Sequence, residues 1–295
     1  MAGLVAYLCV AAVGAVTMPW RGTADSIAHL DYVFQVAHGQ LPEPYGAAFT
    51  FPGQDSPYIG DDSRQFASAH PPLFYAMAAL VTGPVLDSGH WQIAVGAGRL
   101  LNLALGAATF LVLAWCGWGF GGRLRSTMVV ALPLTATLME SFLRFSGDIY
   151  NDILVTLLSV MTLAGSALVL RDGVTRGRLT FLAITAAAGM STKATFLITL
   201  AIALLAVITG HVIHGGGRRW RRVAGGTLRS LPLVIVPLLA SGWFYARNLA
   251  LSGSPVRSSV NGALPGRVDR SLSGNRTNPD FWLLMPREVV GGNAW

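Results

Sequence analysis

The chain has 295 residues, of which 53% are hydrophobic and only 12% are charged, and its formal net charge is +7. A soluble domain carries about 25% charged residues, so this composition excludes an ordinary soluble enzyme and indicates an all-α, polytopic membrane protein. Both cysteines, Cys9 and Cys116, lie in apolar stretches, which excludes a disulfide framework and a cysteine-based metal motif.

Apolar runs recur along most of the chain, and their lengths predict about seven transmembrane helices. A retained N-terminal anchor is favoured over a cleaved signal peptide because no positive segment precedes the first run. The long run 178–213 is interrupted at Gly189 to Lys193, which predicts a helical hairpin. The predicted spans are 3–19, 93–120, 126–145, 150–170, 178–191, 194–213 and 231–250.

Three arginine-rich loops, at 121–125, 171–178 and 214–229, together hold ten arginines and one acidic residue. Positively charged loops stay cytoplasmic. The charge pattern therefore predicts that the loop 20–92, the turns at 145–150 and at Lys193, and all residues after 251 lie outside. We accordingly divide the chain into a transmembrane module, 1–250, and a short extracytoplasmic tail, 251–295. The arginines follow membrane topology, so the positive charge does not indicate nucleic-acid binding.

The first outer loop, 20–92, holds seven acidic residues against two arginines, which is half of the carboxylates of the chain. Within it, the apolar spacing over 24–38 predicts an amphipathic helix that lies along the surface. The apolar segment 72–86 is short, begins with Pro71-Pro72 and contains Gly83-Pro84. We therefore predict an interfacial or re-entrant helix there.

This topology places ten unusual polar residues at or near the outer ends of helices. Ionisable groups at membrane depth are costly and are usually functional or paired, so the outer face is the candidate site. The ten residues are Asp25, His29, Asp31, His70, Arg99, Asp148, Asp152, Lys193, Arg247 and Asn248.

Five motifs resemble those of membrane-embedded GT-C glycosyltransferases, in particular the bacterial relatives of protein mannosyltransferases and aminoarabinose transferases. The first outer loop opens on Asp25-Ser-x-x-His29-x-Asp31-Tyr32 and closes on His70-Pro-Pro-Leu-Phe-Tyr. The three later motifs are Gly147-Asp148-Ile-Tyr-Asn151-Asp152, Ser191-Thr-Lys193-Ala-Thr195, and Gly242-Trp243-Phe-Tyr-Ala-Arg247-Asn248 followed by Gly253-Ser-Pro255. The resemblance covers about residues 15–256.

The resemblance implies an inverting glycosyltransferase in the bacterial plasma membrane, with its site facing outside. The donor would be a polyprenyl-phosphate sugar and the acceptor a glycan or a protein. Asp25 would be the general base. Lys193 and Arg247 would hold the lipid phosphate, and His29, Asp31, His70, Arg99 and Asn248 would contribute to substrate binding.

Structural alternatives stay open for these residues. Asp25 precedes an apolar helical pattern and could be a helix N-cap. Arg247 lies near a helix end, and its side chain could extend to the membrane interface. Pairing with a loop carboxylate is the favoured interpretation of Arg99. Asp148 and Asp152, four residues apart, could bind a divalent cation together with His29 or Asp31, or could cap the start of a helix.

The chain departs from the family pattern in two ways. Ser26 stands where the family has a second acidic residue, and family members are usually longer. We therefore expect the chain to be part of a longer protein or to work with a partner subunit. Two other functions remain, a transporter or flippase of lipid-linked precursors and a non-catalytic subunit of a longer glycosyltransferase. A transporter would need polar residues through both halves of the membrane.

Overall fold

The computed structural model describes residues 2–18, 24–43, 49–50, 65 and 67–256. In these residues the secondary structure is entirely helical, which confirms the all-α class. Eleven α-helices follow one another along the described chain: α1 Ala2–Thr17, α2 Ala24–Ala37, α3 Leu73–Leu86, α4 Trp91–Phe120, α5 Arg125–Thr137, α6 Glu140–Ser146, α7 Asp152–Asp172, α8 Arg176–Met190, α9 Leu197–His214, α10 Arg219–Ser230 and α11 Pro232–Ser252.

Four described helical segments are long and apolar enough to cross a membrane, which indicates a membrane protein. They are Trp91–Phe120, Asp152–Asp172, Ala194–His214 and Arg219–Ser252. A fifth is possible if the segments Gly122–Thr137 and Glu140–Ser146, bent by 77° relative to each other, form one broken span. The described helices that are long enough to cross a membrane are fewer than the seven spans expected. α1 has 16 residues and α8 has 15, fewer than the ~20 that a straight span needs.

Glycines and local caps determine where these helices pack and end. A Cβ at Gly117 would lie within 2.6 Å of the backbone at Met128 and Val129, so this glycine allows α5 to approach α4 closely. Gly253 ends α11 with φ of 72°, a left-handed conformation that favours glycine. At the start of α8, the Thr175 side chain accepts a hydrogen bond from the Arg178 backbone N–H at 3.3 Å, as an N-cap does.

The helix predicted over 24–38 is present as α2, but it does not lie along a surface. Every residue from Ser26 to Val33 is buried, and α2 packs against α3. An amphipathic surface helix would leave one side exposed. The polar side of α2 is therefore not exposed as expected, because segments distant in sequence cover it. The helix predicted over 72–86 is also present, as α3.

Backbone and side-chain hydrogen bonds join the segments at one end of the bundle. Leu73 N–H, at the start of α3, donates to the Ser191 carbonyl at 3.1 Å. Tyr245, on α11, donates to the Met190 carbonyl at 2.9 Å, and the Asn151 amide donates to the Thr192 carbonyl at 3.3 Å. The turn between α8 and α9 thereby contacts α3, α7 and α11, and this junction carries the candidate site.

Candidate functional site

Two histidines from different parts of the chain meet at this junction. His29 lies on α2 and is 4% exposed, and His70 lies just before α3. Their rings are nearly parallel, with centroids 6.2 Å apart. Nδ1 of His29 and the Tyr75 hydroxyl share a hydrogen bond of 2.8 Å. Tyr32 stacks on Tyr75 with a centroid distance of 3.7 Å and donates to the His70 carbonyl at 3.0 Å, so the histidines are held by an aromatic frame.

Burial keeps both imidazoles neutral near pH 7. Burial lowers the pKa of His29 well below its usual 6.5, and the neighbouring His70 and the Lys193 ammonium act in the same direction. Burial and the Lys193 charge also lower the pKa of His70 to about 4, with a smaller opposing effect from Asp152. Neutral imidazoles can each donate and accept a hydrogen bond, which suits them to orient a polar substrate.

The chain's only lysine lies beside these histidines. Lys193 Nζ donates to Oδ1 of Asp152 at 2.7 Å, and the two side chains are 19% and 26% exposed. Asp152 is in the first turn of α7, and Lys193 precedes the short 3-10 turn Ala194–Phe196. An ammonium group has three N–H donors. In the described part of the chain one of them is used by this ion pair, so two are left for a ligand.

Arg247 and Asn248, near the end of α11, have unused hydrogen-bonding capacity. Nη2 of Arg247 donates to the Pro42 carbonyl at 2.9 Å. Within the described ranges, the buried Nη1 of Arg247 and the buried Oδ1 of Asn248 have no hydrogen-bond partner. Arg247 lies close enough to Tyr32 that its charge opposes the burial that raises the pKa of the Tyr32 phenol. Lys193 acts electrostatically on His29 and Arg247 acts on Tyr32, so each cation lies near one part of the aromatic frame.

Asp31 has its hydrogen-bonding capacity filled by the protein itself. Oδ1 accepts from the Thr50 backbone N–H at 2.6 Å and from the Thr50 hydroxyl at 2.9 Å. Oδ2 accepts from Gln35 at 2.8 Å and from Gln65 at 2.7 Å. Asp31 is fully buried. These four donors occupy the lone pairs of both oxygens, so Asp31 holds the first loop onto α2, and sequence reasoning alone did not show this.

Arg99 and Asp148 form a second buried network. Nε of Arg99 lies 3.4 Å from Oδ1 of Asp148, and Nη1 donates to the carbonyls of Ala15 at 2.8 Å and Met18 at 3.0 Å. The favoured interpretation of Arg99, pairing with a loop carboxylate, agrees with this geometry. The Asn102 amide donates to the carbonyls of Phe145, Asp148 and Tyr150. This network fixes the end of α1 and the turn that leads to Asp152.

The described residues give little support for a metal site. Asp148 accepts from Arg99 and from the Ile149 N–H, while Asp152 pairs with Lys193. Among the described side chains no group of three or more His, Cys, Asp or Glu could hold a metal ion. The side chain of Asp25 lies outside the described atoms. Its backbone lies in α2, whose described part begins at Ala24, so both interpretations of Asp25, a general base and a helix cap, fall outside the described residues.

An apolar cleft of about 260 Å³ lies next to the polar junction. Pro71, Pro72 and Leu73, directly after His70, line one side, and Trp243 and Phe244 of α11 line another. Ser191, two residues before Lys193, lies on its wall. Trp243 is 50% exposed. The cleft could take a hydrocarbon chain whose polar end reaches Lys193.

The sequence analysis did not single out four residues that support the site. Tyr75 and Tyr150 contact His29, with ring centroids at 5.7 and 5.0 Å, although both lie within the five motifs. Asn102 could have been found as a buried amide inside an apolar span. Gln65, which links Asp31 to the Ala28 carbonyl, gave no sequence signal.

No family model, curated protein or solved structure significantly matches the chain. The function must therefore be inferred from the helical fold and from the residues that meet at the junction.

The lowered histidine pKa values predict a pH-dependent stability. Below pH 6.5 the unfolded chain binds protons on these histidines that the folded chain does not bind, so stability is greatest above pH 6.5 and falls toward pH 4. For His70 we expect a loss of roughly 2 kcal/mol across this window. His70→Gln should reduce the loss, whereas His90→Gln, at an exposed position, should not. Thermal unfolding in detergent between pH 7.5 and 4.5 measures the loss of stability in both variants and in the wild type. An equal loss in His70→Gln and wild type would contradict the assignment.

Proposed function

We propose that the protein is a glycosyltransferase that transfers a sugar from a polyprenyl-phosphate donor to an acceptor hydroxyl at the outer face of a bacterial plasma membrane. One observation carries the proposal: Lys193, which has unused donors, lies beside two buried histidines, and Arg247, with a free Nη1 among the described residues, lies near Tyr32 of the same aromatic frame. An apolar cleft lined by Ser191 and Phe244 is adjacent. A lipid-linked phosphate has the same division into a charged head and an apolar tail.

The proposed reaction assigns a role to each group. The acceptor oxygen attacks the anomeric carbon of the sugar, and the bond from that carbon to the phosphate oxygen breaks. A carboxylate, proposed to be Asp25, takes the acceptor proton. The bonding electrons leave with the lipid phosphate, whose negative charge Lys193 and Arg247 stabilise. His29 and His70 orient the sugar or acceptor hydroxyls, and Asn248 contributes a buried amide oxygen.

The topology that accompanies this proposal retains seven spans with the junction outside. Two observations support the orientation. The junction contains the start of α7 at Asp152, while the other end of α7 carries Arg171 and leads to Arg176 and Arg178. Positive residues favour the cytoplasmic side. A short helix such as α8 can also cross where the bilayer thins or where neighbouring helices cover its ends.

Reconstitution into vesicles tests the function directly. The purified chain is supplied with polyprenyl-phosphate sugars labelled in the sugar, and both transferred sugar and released polyprenyl phosphate are measured. We expect release of polyprenyl phosphate coupled one to one to transfer. Movement of intact donor across the bilayer would instead indicate a flippase. Activity that appears only after a second membrane protein is added would identify a subunit.

Replacing Arg247 tests the phosphate contact. Arg247→Lys keeps the positive charge but loses the planar pair of donors, so we expect donor affinity to fall about tenfold, the scale of one hydrogen bond to a charged group. Arg219→Lys, at an exposed arginine at the opposite end of the bundle, is the control and should not change the affinity. Binding of labelled donor to detergent-purified protein measures both. Wild-type affinity in Arg247→Lys and also in Lys193→Met would remove these residues from the site.

A further inference from the structure

A second apolar cleft lies between α4, α7 and α8, at the opposite end of the bundle from the candidate site. Its volume is about 400 Å³, and its lining includes Val112 and Trp115 of α4, Met161 and Gly165 of α7, and Gly177 and Phe181 of α8. α7 has 21 residues and so spans about 30 Å. The cleft reaches the end of this helix that is remote from Asp152.

The cleft belongs to a surface that faces lipid. α4 and α7 are both long and apolar enough to cross a membrane, and the cleft residue Trp115 is 50% exposed. Gly177 contributes an opening, because a Cβ built there meets no atom within 4 Å. A hydrocarbon chain therefore fits the chemistry and the position of the cleft.

Positive charge is concentrated at the rim of this cleft. Arg178 lines it and is fixed by donating to the carbonyls of Asp172 and Gly173 at 3.0 and 2.6 Å. Arg171 donates to the Gly119 carbonyl at 2.9 Å, which ties the ends of α7 and α4 together. Arg176, next to Gly177, is exposed, and no described residue accepts a hydrogen bond from it.

Two further arginines follow α4, so the charge at this end is strongly one-sided. Arg125 lies over the Trp118 ring at 4.5 Å, and Arg123 is exposed. With Arg171, Arg176 and Arg178 they make five positive charges against the single carboxylate of Asp172. Basic pockets between membrane helices favour anionic lipid headgroups, and arginine matches a phosphate with paired donors.

We propose that this cleft is a binding site for an anionic phospholipid, with one acyl chain between α4, α7 and α8 and the headgroup phosphate among the rim arginines. The site lies at the opposite end of the bundle from the candidate glycosyltransferase site and does not depend on that function. A neutral or zwitterionic lipid would fill the same apolar space without the full charge complementarity at the rim.

Native mass spectrometry of the detergent-purified protein tests the proposal, with phosphatidylglycerol and phosphatidylcholine of the same acyl chains as probes. We expect phosphatidylglycerol to bind about tenfold more tightly at low salt, the scale of one charge-assisted hydrogen bond. Millimolar inorganic phosphate should not displace it, because the acyl chain supplies part of the affinity. Equal affinity for the two lipids, or displacement by phosphate, would overturn the proposal.

A matched pair of glycine variants tests the location. Gly177→Trp fills the open space at the cleft and should lower the affinity for phosphatidylglycerol at least tenfold. Gly96→Trp, at another helical glycine with open space around it, should leave the affinity unchanged. Arg176→Gln should reduce the preference for phosphatidylglycerol over phosphatidylcholine. Unaltered affinity for phosphatidylglycerol in Gly177→Trp overturns the proposal, and a changed oligomeric state in that variant would assign the cleft to a second copy of the chain.

Discussion

An Arg99→Met variant is expected to lose about 3–5 kcal/mol of stability, because the substitution leaves a buried carboxylate without its positive partner. Asp148 is 2% exposed, and its Oδ2 already has no hydrogen-bond partner among the described residues. The carbonyls of Ala15 and Met18 would also lose the Arg99 guanidinium. A denaturant titration of the detergent-purified protein measures the loss in the free energy of unfolding.

A double variant separates the charge effect from the loss of packing. Asp148→Asn in the Arg99→Met background removes the unpaired charge while its amide oxygen can still accept from the Ile149 N–H. We expect the double variant to be more stable than Arg99→Met alone, with a coupling of about 0.5–3 kcal/mol between the two positions. A single variant within about 1 kcal/mol of wild type would show that Arg99 does not maintain the turn before Asp152.

The apolar runs predicted the long helices because each is a local property of the sequence. α4, α7 and α9 agree with the runs 93–120, 150–170 and 194–213 within a few residues, and apolar length alone determines such segments. The bend between α5 and α6 was not predictable in the same way. It falls at Leu138 and Met139, and Met139 has extended backbone, without a glycine or proline at the break to signal it.

Burial of polar residues depended on contacts between distant segments, which periodicity does not report. The apolar spacing of α2 predicted a surface helix, yet Asp31 on its polar side is fully buried under Thr50 and Gln65, 19 and 34 residues away. The sequence did indicate that polar residues gather at one end of the bundle. His29, His70, Asp152 and Lys193 do lie together, but which carboxylate pairs with which cation required the three-dimensional structure.

The two acidic residues at the start of the first loop should behave in opposite ways when each is replaced by its amide. Asp25→Asn removes the proton acceptor of the proposed reaction while keeping nearly the same size. We expect a loss of about 10²-fold or more in sugar transfer, the scale of losing a general base, with near-normal stability. Donor binding should persist, because Lys193 and Arg247 are unchanged.

Asp31→Asn provides the contrast, because all four donors around Asp31 point at carboxylate oxygens. An amide would turn an N–H₂ group toward either Thr50 or the two glutamines, so donors would face donors in a buried site. We expect a loss of about 1–3 kcal/mol in stability, the cost of unsatisfied buried polar groups.

The measurements are transfer rate and thermal unfolding for each variant. Near wild-type transfer by Asp25→Asn would exclude Asp25 as the base. The role would then pass to Asp152, whose carboxylate is 26% exposed beside Lys193, because Asp31 and Asp148 are buried and engaged by protein donors.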